Sequence, residues 1–138
     1  MAISKYLLAG MLVLIAGCRS AQKATDSRLP ADQLARKITA KLGEDYQQAE
    51  NYDHTMVLAW REDTSPGLRI VRFGVWRLSN GELVYAGAGK NGKVEWLDNT
   101  HLLLEDYPGI VDGDQQQYRF KIDLTTQTKI PIDESEKK

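Results

Sequence analysis

The sequence predicts a mainly β domain of the α+β class. One N-terminal helix precedes an antiparallel β-meander of about six or seven strands, packed as a curled sheet or a small sandwich. Three observations carry this. From Thr55 onward the apolar residues recur at short, strand-like spacing rather than at 3.6. Turn chemistry interrupts them at Thr64-Ser65-Pro66-Gly67, Ser79-Asn80-Gly81 and Lys90-Asn91-Gly92. Before Thr55, one stretch alone carries helical spacing.

That stretch begins at Pro30. Ala31, Leu34, Ala35, Ile38 and Leu42 share one helical face, Arg36, Lys37 and Lys41 lie off it, and Gly43 stands where a helix would stop. An isolated amphipathic helix this short is marginal in water. Its stripe has no aromatic residue to seat it in a bilayer, so it is expected to dock on the domain that follows.

Met56–Trp60 reads as a buried-type strand, and Leu68–Leu78 as a long one with Val71, Phe73 and Val75 on one face. Asn80-Gly81 predicts a hairpin into Glu82–Ala88. Asn91-Gly92 predicts a second hairpin, into Lys93–Leu97. His101–Glu105 follows as a short strand after Asp98-Asn99. The last clear strand alternates Tyr118, Phe120, Ile122 and Leu124 inward with Arg119, Lys121 and Asp123 outward. Thr128–Ile132 is an expected edge strand, limited by Pro131.

The first 17 residues have a different character. Lys5 supplies a positive start, Leu7–Ile15 form a short apolar run, and Ile15-Ala16-Gly17 lead into Cys18, the sole cysteine. The run is about half the ~20 residues of a spanning helix, and suits a signal h-region. The segment resembles the signal peptide and lipobox of bacterial lipoproteins. That resemblance implies that residues 1–17 are removed and that Cys18 carries lipid, making the membrane a partner through Cys18. Because such lipoproteins carry more than one acyl chain, it also implies a permanent anchor. It further implies a cell-envelope location, and Arg19 after the cysteine resembles the outer-membrane pattern where the source is Gram-negative. A lone thiol cannot form an internal disulfide, and lipidation would remove its reactivity in an oxidising compartment.

The expected organisation is therefore a signal peptide at 1–17, a lipidated N-terminus and polar tether at 18–29, one β-rich domain at 30–132 and a polar tail at 133–138. Cleavage removes Lys5, so 17 basic residues face 19 acidic ones, a formal −2. With no basic excess, nucleic acid is not an expected partner.

Gly87-Ala88-Gly89-Lys90-Asn91-Gly92-Lys93 has phosphate-loop spacing, but Val94 replaces the metal-binding hydroxyl and a strand follows in place of a helix, so no nucleotide is expected. His54 and His101 have no ligand partner at metal-site spacing and read as surface residues. Asp112-Gly113-Asp114 lacks the rest of a calcium loop and reads as a solvated turn. No spacing places Glu62, Asp63, Glu105 and Asp106 as a catalytic pair. No metal or other cofactor is implied. Among the tryptophans, Trp60 and Trp96 are assigned to core packing. Trp76 shares strand parity with Arg72 and Gly74, opposite Val71 and Phe73, so Trp76 with Arg72 is the expected partner-binding pair. The function expected is that of a non-catalytic, membrane-anchored envelope lipoprotein serving as a protein-interaction module. The alternative is a ligand-binding or hydrolase-inhibitor module of the envelope.

Overall fold

A computed structural model describes residues 27–107 and 118–132. Cys18 with the signal segment, most of the tether, the Asp112-Gly113-Asp114 turn and the tail at 133–138 lie outside the described residues. Helix α1 (Ala31–Leu42) is followed by β1 (Gln47–Glu50), β2 (Met56–Ser65), β3 (Leu68–Arg77), β4 (Leu83–Lys90), β5 (Val94–Trp96), β6 (His101–Glu105), β7 (Arg119–Asp123) and β8 (Thr128–Pro131). All pairings are antiparallel between sequence neighbours, in two four-stranded sheets ordered β1-β2-β3-β4 and β5-β6-β7-β8. The expected mainly β architecture holds, with eight strands among the described residues rather than six or seven.

Three layers result: helix, first sheet, second sheet. Met56, Leu58, Val71, Phe73 and Val75 project from the first sheet onto Val94, Leu102, Leu104, Ile122 and Leu124 of the second-sheet region. The intervening residues Val57, Ala59 and Trp76, with Leu78, project the other way onto Leu34, Ile38 and Leu42 of α1. The centre of β2 and β3 is thus buried on both faces. This explains why Met56–Ala59 is a continuous apolar run rather than an alternating one.

Helix α1 starts at Pro30, whose carbonyl accepts from the Gln33 and Leu34 N–H groups. Asp32 in the first turn and Lys41 in the last complement the helix dipole. The helix ends at Gly43, in the left-handed region at φ 87°. From β2, the Arg61 guanidinium donates to the carbonyl of Leu42 (3.3 Å), an orphan acceptor of the last helical turn, and to that of Glu44 (3.1 Å) just beyond the helix. Leu29 belongs to the folded unit rather than to the tether: its N–H donates to Leu78 O at 2.7 Å and its side chain packs on the helix-side core.

One tryptophan expectation is corrected here. Trp76 is not accessible; it is 2% exposed beneath α1. Trp76 does lie opposite Val71 and Phe73, but that face is the helix-docking face over the Gly74–Trp76 half of β3. Gly74 makes room for the indole, since a Cβ there would come within 2.6 Å of the ring. Arg72 lies on the same face beyond the helix, where it is exposed and ion-paired with Asp63. The two residues therefore do not form a joint surface.

The second correction concerns Asn91-Gly92. It is not a hairpin, because β4 and β5 belong to different sheets. It is the corner by which the chain crosses from one sheet to the other. Asn91 takes the left-handed conformation (φ 51°) and exchanges two hydrogen bonds with Arg69, donating its N–H to Arg69 O (2.7 Å) and accepting from Arg69 N through Oδ1 (3.0 Å). Gly92 is needed for space, not for φ: a Cβ there would overlap the Glu105 carbonyl. Gly87 and Gly89 similarly let β4 approach Phe73 and Leu104. The Asn80-Gly81 hairpin, by contrast, forms as expected between β3 and β4, with Gly81 at φ 70°.

Two stability outcomes follow. Trp76→Ala is expected to cost ~3–5 kcal/mol, the range for truncating a buried aromatic, read as a lowered urea midpoint at unchanged slope. Gly92→Val is expected to cost at least ~1–3 kcal/mol through overpacking against β6, and Gly92→Ala part of that. A Gly92→Ala midpoint equal to wild type would contradict the close approach.

Candidate functional site

The two sheets diverge where β5 passes over β1 and β2. A cleft of about 320 Å³ opens between them, with Ala49, Leu58, Trp60 and Val71 on one side and Val94 and Trp96 on the other; Glu62, Lys93 and Glu95 complete its lining. Strand alternation places these groups. Leu58, Trp60 and Glu62 fall on the inner face of β2, opposite Val75, Phe73 and Val71 of β3. Val94 and Trp96 fall on the inner face of β5.

Trp60 and Trp96, expected in the core, each rest against the intersheet core while keeping part of their surface open to the cleft. Trp96 is fixed by its Nε1–H, which donates to Ala49 O at 2.9 Å across the layers. Among the described residues the aromatic rings in mutual contact are Phe73–Tyr85 and Tyr107–Tyr118, so the two indoles line the cleft without stacking on each other. The charged groups at the mouth are engaged: Glu62 with Arg69 at 3.9 Å and Lys93 with Glu95 at 3.7 Å. The cleft is an aromatic-walled recess with a polar rim, suited to receiving an apolar side chain or ring.

Comparisons with protein-family models, with curated proteins and with solved structures return no match for this chain.

At the far end of the second sheet, His101 joins two turns. Its Nδ1 lies 2.9 Å from Asp98 Oδ1, and its Nε2 lies 3.4 Å from Asp123 Oδ2. His101, expected at the surface, is instead half-buried between two carboxylates, one of them 22 residues away along the chain. Asp123 accepts from the Thr125 hydroxyl and backbone N–H, and these bonds, with the Thr126 N–H and the His101 charge, bring its pKa down to about 2. At Asp98, burial pushes the pKa up, but hydrogen bonds from Thr100 and His101 outweigh it and hold the carboxyl below its usual value. His54 is exposed, as expected, with Nδ1 2.7 Å from Glu50 Oε2.

The remaining sequence candidates disperse. Lys93 opens a strand rather than a helix. Asp63 is paired with Arg61 and Arg72, Glu105 with Arg119, and Asp106 with Lys129 while also accepting from Lys90 N. Among the described residues no group of three or more His, Cys, Asp or Glu side chains is placed to hold a metal ion. The sequence did contain a signal for the cleft. Trp60 stands where the buried run Met56–Ala59 meets Arg61-Glu62-Asp63, which is where a strand leaves the core for solvent.

The carboxylates set an acid limit on stability. Asp123 titrates lower in the folded chain than the ~3.9 of an unfolded aspartate. Its contribution is therefore complete above about pH 4 and is lost as pH falls toward 2. Asp98 adds in the same direction. Urea midpoints measured from pH 5 to pH 2 are expected to decline, and Asp123→Asn is expected to flatten that decline while lowering the midpoint at pH 7. A mutant curve parallel to wild type would refute the assignment.

Proposed function

We propose that this chain is a lipid-anchored, non-catalytic module of the bacterial cell envelope that binds another envelope protein. The signal-like segment and the Ile15-Ala16-Gly17-Cys18 sequence support the anchor, with location at the outer membrane if the source is Gram-negative. The observation that carries the binding role is the cleft between the sheets, where Trp60 and Trp96 offer partly open aromatic surface against the buried intersheet core. Tryptophans of this kind are the residues on which interface energy concentrates. The charged groups at the rim lie in ion pairs, an arrangement that favours recognition over acid–base chemistry. The small-ligand alternative has the cleft volume in its favour, since about 320 Å³ lies at the lower end of the range for small-molecule sites.

Anchor and cleft are tested separately. Cys18→Ser is expected to abolish metabolic labelling by a fatty acid and to release the protein from the membrane fraction; unchanged labelling would end the lipoprotein reading. Trp60→Ala is expected to reduce in-cell crosslinking to the envelope partner at least tenfold. Trp60 is only half-buried, so its urea midpoint should fall much less than that of Trp76→Ala. Full retention of crosslinking in Trp60→Ala would remove the cleft from the binding role. Saturable binding of a small glycan with no protein crosslink would favour the alternative.

A further inference from the structure

The cleft opens beside a stretch of strand edge that no strand among the described residues pairs with. β1 pairs with Val57–Trp60 and goes no further, while β2 continues through Ser65. Among the described residues Arg61–Ser65 is therefore strand-paired on one side only, with Leu68–Arg72 of β3. The alternation of the antiparallel ladder gives the direction of the free groups. Asn51 N donates to Met56 O, so Met56, Leu58 and Trp60 are the β2 residues whose backbone groups face β1. Glu62 and Thr64 continue that series, and their N–H and C=O groups face the side that β1 has vacated.

The other sheet edges are short, charged or partly engaged, and β5, whose outward backbone groups are those of Val94 and Trp96, is three residues long. On the outer edge of β4, Val84 O accepts from the Gln127 side chain (3.0 Å), Lys90 N donates to Asp106 Oδ1 (2.8 Å), and Lys90 O accepts from Tyr107 N (2.7 Å). β8 carries Lys129 and Pro131, and β1 is four residues long. In the overhang, the charged side chains are drawn onto the sheet faces by ion pairs: Glu62 to Arg69, and Asp63 to Arg61 and Arg72. Its edge is left to the backbone.

An unpaired edge next to a pocket for one side chain is the arrangement by which sheets take up an extended peptide: main-chain bonds supply affinity and the pocket supplies selectivity. The geometry points to strand addition. An extended segment of the partner protein lies along Arg61–Ser65 as a continuation of the line of β1, and places one aliphatic or aromatic side chain between Trp60 and Trp96. This rests on the binding role proposed for the cleft and specifies what occupies it.

The test uses the full chain in detergent micelles and a phage-displayed library of linear 12-residue peptides, with empty micelles as the counter-selection. Enriched peptides are synthesised and their affinities measured by calorimetry. Strand addition predicts that enriched peptides share an apolar or aromatic residue and lose at least tenfold in affinity for Trp60→Ala. N-methylation at alternate peptide positions should abolish binding, while methylation at the positions between should not. Thr64→Pro removes an edge N–H that β3 does not use, and is expected to weaken binding at least tenfold; Thr64→Val keeps the N–H and should bind like wild type. If Thr64→Pro fails to fold by circular dichroism, the N-methyl series decides alone. Peptides sensitive to Trp60→Ala but indifferent to N-methylation and to Thr64→Pro would overturn strand addition and leave the cleft as a binding site. No enrichment over empty micelles, or peptides indifferent to Trp60→Ala, would overturn both.

Discussion

The structure depends on one constraint: the centre of β2 and β3 must be covered on both faces. Met56–Ala59 and Phe73–Trp76 are buried whichever way their side chains point. Each fully buried apolar side chain of this kind contributes ~1.5–3 kcal/mol, and neither face can be left in water. Helix α1 covers one face and the second sheet the other. Each needs the middle layer: a 12-residue helix is marginal in isolation, and β5–β8 offer an apolar face that an opposing layer must cover. The three layers therefore form a mutually dependent stack, with β2–β3 as its middle.

Polar groups fix how the layers meet. Asn51 is almost completely buried, yet every hydrogen-bonding group of its side chain is used. Its amide donates to Thr55 Oγ1 and to Asn99 O in the β5–β6 turn, both at 3.0 Å, and its Oδ1 accepts from the N–H groups of Thr55 and Met56. The Trp96-to-Ala49 bond adds a second crossing on the same side, and the Lys90–Tyr107 and Lys90–Asp106 bonds close the opposite side. Between these fixed points, where β2 outruns β1, the sheets separate and the cleft forms. The recess is a consequence of unequal strand lengths on a rigid frame.

Local order was legible in the sequence where it rests on local chemistry. Pro30 and Gly43 bound α1, Pro66-Gly67 and Asn80-Gly81 turn the β2–β3 and β3–β4 hairpins, and Phe120-Ile122-Leu124 faces the core as its alternation implies. What escaped was set by distant residues. β1, reading Gln-Gln-Ala-Glu, has no strand-like pattern and is held by pairing with β2. Asn91-Gly92 carries hairpin chemistry but is used as an intersheet corner, because Gly92 must meet Glu105 and Asn91 is held by Arg69. Trp76 lay on the face opposite Phe73, and alternation cannot say which half of that face a helix will cover. Of the cleft, Trp60 was visible at the junction of apolar and charged residues; its facing Trp96 depends on how β5 is carried over the first sheet.

Native-state hydrogen exchange of the full chain tests the central claim most directly. If β2–β3 is the middle of one cooperative stack, the ladder amides of Val57, Ala59, Phe73 and Val75 exchange only through global unfolding. Their opening free energy then equals that from urea denaturation, and the most protected amides of β6 and α1 stay at or below it. Exchange of those β2–β3 amides by a lower-energy opening, with β6 and β7 still protected, would show that the second sheet stands without the first and would contradict the account.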